Sequence, residues 1–86
     1  MSTTHIHLTR HAEQMLIERR IKRAWVERTI SQPDIVESDP VRSHVVRAFK
    51  RIPEHGNRFL RVAYVRSGES VRVLTVFFDR NRTRLG

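Results

Sequence analysis

The feature that most constrains this chain is a series of three alternating apolar and polar segments in its second half. They span residues 44–52, 58–66 and 70–78. Only short stretches with turn-forming residues separate them, at 53–57 and 67–69. Connections this short join antiparallel neighbours, because a parallel crossover needs about a dozen residues or more. The pattern therefore predicts a three-stranded antiparallel sheet.

The first half of the chain is predicted to form two helices. Thr9 is a suitable N-cap for a helix over residues 10–19, where apolar residues recur at helical spacing. A second helix over residues 23–32 has to end before Pro33, because proline cannot continue the hydrogen-bond ladder of a helix. The helices thus precede the main strands rather than alternating with them.

Short strands are also predicted at residues 6–8 and, as an edge strand, at 34–37. The expected fold class is α+β, with two N-terminal helices packed on one face of an antiparallel sheet of three to four strands. A chain of 86 residues holds one hydrophobic core, so one domain is expected. Its structured core is predicted to span residues 5–79, followed by a basic tail over 80–86.

Alternation along the predicted strands assigns each residue to one of two sheet faces. The face that the helices are expected to cover consists of Val46, Ala48, Lys50, Ile52, Leu60, Val62, Tyr64, Leu74, Val76 and Phe78. The opposite face consists of Val45, Arg47, Phe49, Arg51, Phe59, Arg61, Ala63, Val65, Val71, Val73, Thr75 and Phe77. Arginine mixed with aromatic residues is typical of an exposed nucleic-acid platform, so this second face is the predicted binding surface.

The positive charge of the chain is confined to its second half. Residues 1–41 contain six basic and six acidic residues, whereas residues 42–86 contain eleven basic and three acidic ones, which accounts for the whole net charge of +8. Guanidinium groups bind phosphate bidentately, so RNA is the expected partner; an arginine-rich genome is the alternative explanation. The predicted nucleic-acid-binding residues are Arg47, Lys50, Arg51, Arg58 and Arg72.

Several classes of protein are excluded or disfavoured by what the sequence lacks. Without cysteine there is no disulfide, no thiol nucleophile and no cysteine-ligated zinc. No apolar run approaches the roughly 18 residues that span a bilayer, so we expect a cytoplasmic protein with no membrane partner. His5, His7 and His11 have a spacing that invites a zinc site, but the nearby Glu13 would point away from His11 on a helix. We therefore expect neither a metal nor a cofactor.

His11 is the strongest candidate for a catalytic residue. It would lie in the first turn of the first helix, where the helix dipole disfavours the imidazolium form. A neutral imidazole can act as a general base. The alternative is an ordinary surface or half-buried histidine that packs beside Ala12.

Arginines could also line a phosphate site on the predicted binding face. Arg47, Arg51 and Arg61, with Thr75 on the neighbouring strand, would hold a backbone phosphate and stabilise the charge that grows on a pentacoordinate phosphorus. The alternative is that each arginine belongs only to a solvated face of a basic protein.

Over residues 8–12 and 19–21 the chain resembles domain-of-unknown-function family 4258, whose opening helix reads H-A-x-x-R-M-x-x-R-G-I. The matching positions are His11, Ala12, Arg19 and Ile21. Residues 73–77, V-L-T-V-F, also resemble the final strand of that family. The sequence departs from the motif where Met15 and Leu16 replace arginine and methionine, and where Arg20 replaces glycine.

That family is similar to RelE- and BrnT-like toxins and to the wider barnase-like nucleases. The resemblance implies a RelE-like fold and a metal-independent endoribonuclease, in which the ribose 2′-hydroxyl attacks the adjacent phosphate. By motif position it implies that His11 is the base or acid, Arg19 a phosphate ligand and Thr75 a hydroxyl lining the site. Arg61 joins this catalytic set only because of its predicted face.

Three functional hypotheses follow from these observations. The leading one is an endoribonuclease toxin of a toxin–antitoxin pair, with an acidic antitoxin as its protein partner. The second is a nucleic-acid-binding module without catalytic activity. The third is an accessory domain whose basic face binds an acidic protein.

Overall fold

The structure, a computed structural model, describes residues 5–80 of the chain. Its helices and strands, in chain order, are β1 (His5–Leu8), α1 (Arg10–Arg19), α2 (Arg23–Ser31), β2 (Ile35–Ser38), β3 (Val46–Ile52), a 3₁₀ turn (Pro53–His55), β4 (Arg58–Ser67) and β5 (Ser70–Asp79). Both helices thus begin where the sequence pattern predicts. Apart from Arg80, the predicted basic tail lies outside the described residues.

The sheet has five strands in the order β1-β5-β4-β3-β2 and is mixed. β1 pairs in parallel with β5, whereas the other three pairings are antiparallel. The predicted RelE-like sheet of three to four antiparallel strands was therefore wrong. The chain that connects β1 to β5 contains all the other helices and strands, so it is far longer than the crossover that a parallel pairing requires.

One face of the sheet carries the helices and the main core. Helix α1 packs on β5 and β1, and α2 packs on β3 and β4. The buried members of this core are Ala12, Ile21, Trp25, Val26, Ile30, Ala48, Ile52, Leu60, Val62, Tyr64, Val71, Val73 and Val76. We call this side of the sheet the helix face.

A bulge in β5 changes which side chains reach the helix face. Ala63 pairs with Thr75, but the next residue of β4, Tyr64, pairs with Val73, so Leu74 is an extra residue. An extra residue reverses the alternation on one side of it. Val71 and Val73, expected on the opposite face, are consequently buried on the helix face. The expected place of Leu74 in that core was wrong for the same reason.

The opposite face has a small apolar cluster of its own. Phe49 and Phe59 are only 1% and 0% exposed, and Val45 and Ala63 are also buried. Both helices pack on the other side of the sheet. The predicted exposed aromatic platform was therefore wrong at Phe49 and Phe59, because buried rings cannot stack on a nucleic-acid base.

Helix α1 begins and ends with well-defined caps. The backbone N–H of Ala12 donates to Thr9 Oγ1 at 3.1 Å, which confirms the predicted N-cap. The Thr9 hydroxyl in turn donates to the carbonyl oxygen of Leu74 at 3.4 Å, so the start of the helix adjoins the bulge. At the other end Arg20 is left-handed, with φ of 53°. This conformation is sterically unfavourable for an L residue that has a Cβ atom.

We expect Arg20→Gly to raise the free energy of unfolding by about 1 kcal/mol, since glycine adopts the left-handed conformation without steric cost. Arg20 is exposed, so the substitution removes no buried contact. Urea denaturation monitored by circular dichroism measures the change. The control is Arg19→Gly within the helix, which should lower stability by about 1 kcal/mol. Equal losses in both variants would contradict this interpretation of the cap.

Candidate nucleic-acid interface

The sheet face opposite the helices carries arginines from three neighbouring strands, and we call it the arginine face. Cross-strand pairing aligns Arg47 with Ala63 and Ala63 with Thr75 in one row. In the next row Phe49 pairs with Arg61, which pairs with Phe77. The remaining members of the face are Ile35, Glu37, Arg51, Phe59, Val65, Arg72 and Asp79, with His5 and His7 at its β1 edge.

Arg61 lies at the centre of the arginine face and rests on aromatic rings. Its guanidinium carbon is 4.9 Å from the centroid of Phe77 and 6.0 Å from that of Phe49. Burial, followed by the nearby charge of Arg47, lowers the pKa of Arg61 from its ordinary value. Its buried Nε has no hydrogen-bond acceptor among the residues that the structure describes. Within residues 5–80, Arg61 is thus a cation held by ring contacts rather than by a direct ion pair.

Arg47 is tied to the loop between β2 and β3. Its Nη2 donates to Asp39 Oδ2 at 3.0 Å. The other carboxylate oxygen of Asp39 accepts the backbone N–H groups of Val41 and Arg42, both at 2.9 Å. These two backbone bonds, and then Arg47, lower the pKa of Asp39 from 3.8 to about 2. Asp39 therefore organises the loop and neutralises Arg47 at the same time.

Asp39 should make the stability of the protein sensitive to acid. Because its folded pKa is below the ordinary value, its contribution is complete above about pH 4 and is lost as the pH falls toward about 2. Asp39→Asn should therefore be less stable than the parent at pH 6, and the difference should shrink by pH 2. Thermal melts over this range measure the effect. The control is Glu13→Gln, whose carboxylate has no hydrogen bond within residues 5–80; a constant difference for Asp39→Asn would contradict this account.

The centre of the arginine face is close to electrically balanced. The charges of Asp79, Asp39 and Glu37 all act on Arg61 and offset the repulsion from Arg47. A patch in which acids and arginines alternate attracts a polyanion weakly, because the opposite potentials cancel within a Debye length. A surface that attracts a polyanion strongly therefore has to lie elsewhere on the sheet.

Exposed arginines lie at one end of the sheet, which we call the basic end: Arg51, Arg58 and Arg80. Arg51 pairs across the strands with Phe59, next to Arg58, and Phe59 pairs in turn with Asp79, next to Arg80. All three arginines are exposed. Within residues 5–80 their side chains make no hydrogen bond or ion pair. Arg51 thus lies on the arginine face, in the same row as Asp79, whereas alternation places Arg58 and Arg80 on the helix-face side of the same end of the sheet.

The other predicted binding residues lie away from the basic end. Lys50 is on the helix face, and its Nζ is 3.5 Å from Asp34 Oδ1. Arg72 is exposed beside His7, and six residues of strand separate its row from that of Arg51, which is about 20 Å. Arg80 was not among the predicted binding residues. Its position just after the last predicted strand is the sequence feature that could have identified it.

The residues predicted for catalysis do not form one cluster. Arg61 and Thr75 are diagonal neighbours on the arginine face. His11 is exposed near the start of α1, whereas Arg19 is at its other end, about 12 Å along the helix axis. The imidazole of His11 makes no hydrogen bond, ion pair or ring contact within residues 5–80. The start of α1 adjoins the bulge beside Thr75, but the helix packs on the helix face of the sheet, opposite the arginine face.

Histidines do not gather into a metal site in the described part of the chain. His5 and His7 are on the arginine-face side of β1, and His11 belongs to α1. Residues 5–80 contain no group of three or more histidine, cysteine, aspartate or glutamate side chains that could hold a metal ion. Among the same residues, neither helix has the length and apolar character needed to cross a membrane.

Comparison with known proteins gives one match. Residues 8–78 match the family described as "Domain of unknown function (DUF4258)". No curated protein matches the chain, and no solved structure matches it. The match covers both helices and nearly all of the sheet, but it brings no assigned activity with it.

Proposed function

The chain belongs to the DUF4258 family, described only as a domain of unknown function, and we propose from its geometry that it binds RNA through the basic end. The observation that carries this proposal is that Arg51, Arg58 and Arg80 lie at one end of the sheet, exposed and without an ionic partner in residues 5–80. Guanidinium groups match phosphate oxygens in pairs, which makes such a cluster a binding surface for a phosphodiester backbone.

The ion pairs of the described chain support this choice of surface. They join Arg23 to Glu27, Arg28 to Glu54, Arg47 to Asp39 and Lys50 to Asp34. None of them involves the basic end. Three like charges at one end of the sheet do not stabilise the fold, since like charges repel one another. Their evident use is to attract an anion.

Replacing two of these arginines should weaken RNA binding in a salt-dependent way. We expect Arg51→Gln/Arg58→Gln to reduce the slope of log affinity against log salt by about 1.4, because each phosphate contact on a single strand contributes about 0.7. Fluorescence anisotropy with a labelled oligoribonucleotide between low and moderate salt measures this slope.

The matched control is Arg10→Gln/Arg20→Gln, which removes the same charge from exposed positions at the two ends of helix α1. It should leave the slope nearly unchanged. If both double variants lose affinity equally, only net charge matters and the basic end is not the site. If the parent protein does not bind RNA even at low salt, the proposal fails.

Cleavage of RNA by a RelE- or BrnT-like toxin stays a prediction that comes from the resemblance. Incubating the same RNA with the protein in EDTA and resolving the products on a gel tests it directly. Cleavage that disappears in His11→Ala would assign the base or acid. The predicted acidic antitoxin calls for a different observation, a neighbouring gene that encodes a small acidic protein. If the RNA stays intact and binding depends on salt, the result supports the second hypothesis, a nucleic-acid-binding module without catalytic activity.

A further inference from the structure

Three aromatic side chains meet on the helix face at the same end of the sheet, and we call them the aromatic corner: Trp25, His55 and Phe78. The imidazole of His55 stacks on Phe78, with 4.1 Å between centroids and 14° between the ring planes. Trp25 meets both rings at an angle, at 5.8 Å and 6.1 Å. Trp25 is buried, whereas His55 and Phe78 are partly exposed. Part of the aromatic surface is therefore accessible to solvent here.

The 3₁₀ turn that carries His55 is held in place by an ion pair. Glu54 receives two hydrogen bonds from the guanidinium of Arg28, at 3.0 Å and 2.7 Å. A bidentate pair of this kind fixes orientation as well as distance. It anchors the turn on helix α2 one residue before His55, so the imidazole is positioned before any ligand arrives.

Cations surround the aromatic corner and connect it to the basic end. Phe78 pairs with Leu60, which places it diagonally across from Arg58, two residues earlier on β4. Arg80 follows Phe78 by two residues on the chain. On the helix side, Lys22 Nζ is 5.7 Å from the centroid of Trp25. Rings and cations thus adjoin each other within one end of the domain.

We infer that the aromatic corner stacks an unpaired base of an RNA strand whose phosphates lie on the basic end. This inference rests on the proposed function and adds the class of ligand, which is single-stranded RNA. A positively charged surface beside accessible aromatic rings is the usual arrangement for binding single strands. A duplex covers both faces of each base, so it could contact the arginines but not the rings.

The aromatic corner contains its own reporter, because Trp25 is the one tryptophan of the chain. Three probes of equal length, about ten nucleotides, separate the two kinds of contact: a single-stranded oligoribonucleotide, its duplex, and an abasic oligomer with the same number of phosphates. The single strand should bind most tightly and quench the fluorescence of Trp25. The abasic oligomer should bind about tenfold more weakly, with the quenching lost.

Substitutions at His55 test the same stacking. His55→Ala should weaken binding of the single strand about tenfold and leave binding of the abasic oligomer unchanged. His55→Phe keeps a flat ring and should bind like the parent protein, which guards against a loss caused by misfolding. The control is His44→Ala, an exposed histidine in the loop between β2 and β3, which should change neither affinity.

The outcomes separate the two proposals. Equal affinity for the three probes with no quenching would overturn stacking while leaving phosphate binding at the basic end intact. An unchanged affinity of His55→Ala for the single strand would also overturn it. If none of the probes binds at low salt, the proposed function fails together with this inference.

Discussion

Replacing Phe59 with alanine is expected to lower the free energy of unfolding by about 3–5 kcal/mol. Phe59 is fully buried on the arginine face, the side of the sheet on which neither helix of residues 5–80 packs. Truncating its ring removes the transfer free energy of a large apolar side chain and leaves a cavity that a central strand closes poorly. Small domains have only about 5–15 kcal/mol in total, so much of the stability would be lost.

Thermal and urea denaturation measure this loss, and we expect a fall in Tm of at least about 15 °C. The control is Val41→Ala, an aliphatic residue that is 88% exposed in the loop between β2 and β3. It should stay within about 0.5 kcal/mol of the parent. If Phe59→Ala also costs less than about 1 kcal/mol, the arginine face has no apolar cluster that matters for stability.

Deleting Leu74 should leave a folded protein, whereas deleting Val62 should abolish folding. Ala63 pairs with Thr75 and Tyr64 with Val73, so removing Leu74 joins two residues that are already paired in regular order. Every side chain of β5 then keeps its face. Removing Val62 from the middle of β4 shifts the alternation, so one half of the strand would turn its apolar residues away from the core.

Near-ultraviolet circular dichroism and urea denaturation distinguish the two deletions. The Leu74 deletion should keep a cooperative transition, with a modest loss because the Thr9 hydroxyl no longer has its present acceptor. The Val62 deletion should show neither a tertiary signal nor a cooperative transition. Complete unfolding of both proteins would contradict the conclusion that Leu74 is a surplus residue in the β4–β5 ladder.

Much of the secondary structure could be predicted because its signals are local. The Thr9 cap and Pro33 limit the helices through contacts within a few residues. The turns before β4 and β5 are too short for anything but antiparallel neighbours. The bulge left only a weak signal: Val73 and Leu74 are consecutive apolar residues that interrupt the alternation, and a strand buried on both faces can show the same pattern. The face assignment in the first part of β5 therefore failed.

The site was predicted less completely than the secondary structure. Arg51 and Arg58 were singled out, and they lie on neighbouring strands at the basic end. Lys50 was singled out for its charge, but it is paired with Asp34, which precedes β2. Whether a charge is free or neutralised depends on residues distant in the chain, so charge patterning in the sequence does not distinguish the two cases.

The sequence by itself determined the two helices, the antiparallel hairpins and the confinement of net positive charge to the second half. The helices and hairpins depend on residues that are close together in the chain, and the charge distribution is a count of acidic and basic residues. Only the tertiary structure decided that β1 pairs in parallel with β5 and that Phe49 and Phe59 are buried. It also decided that Arg58 lies diagonally across from Phe78 of the aromatic corner. Such contacts join residues far apart in the chain, and their free energy comes from packing the whole core rather than from any local preference.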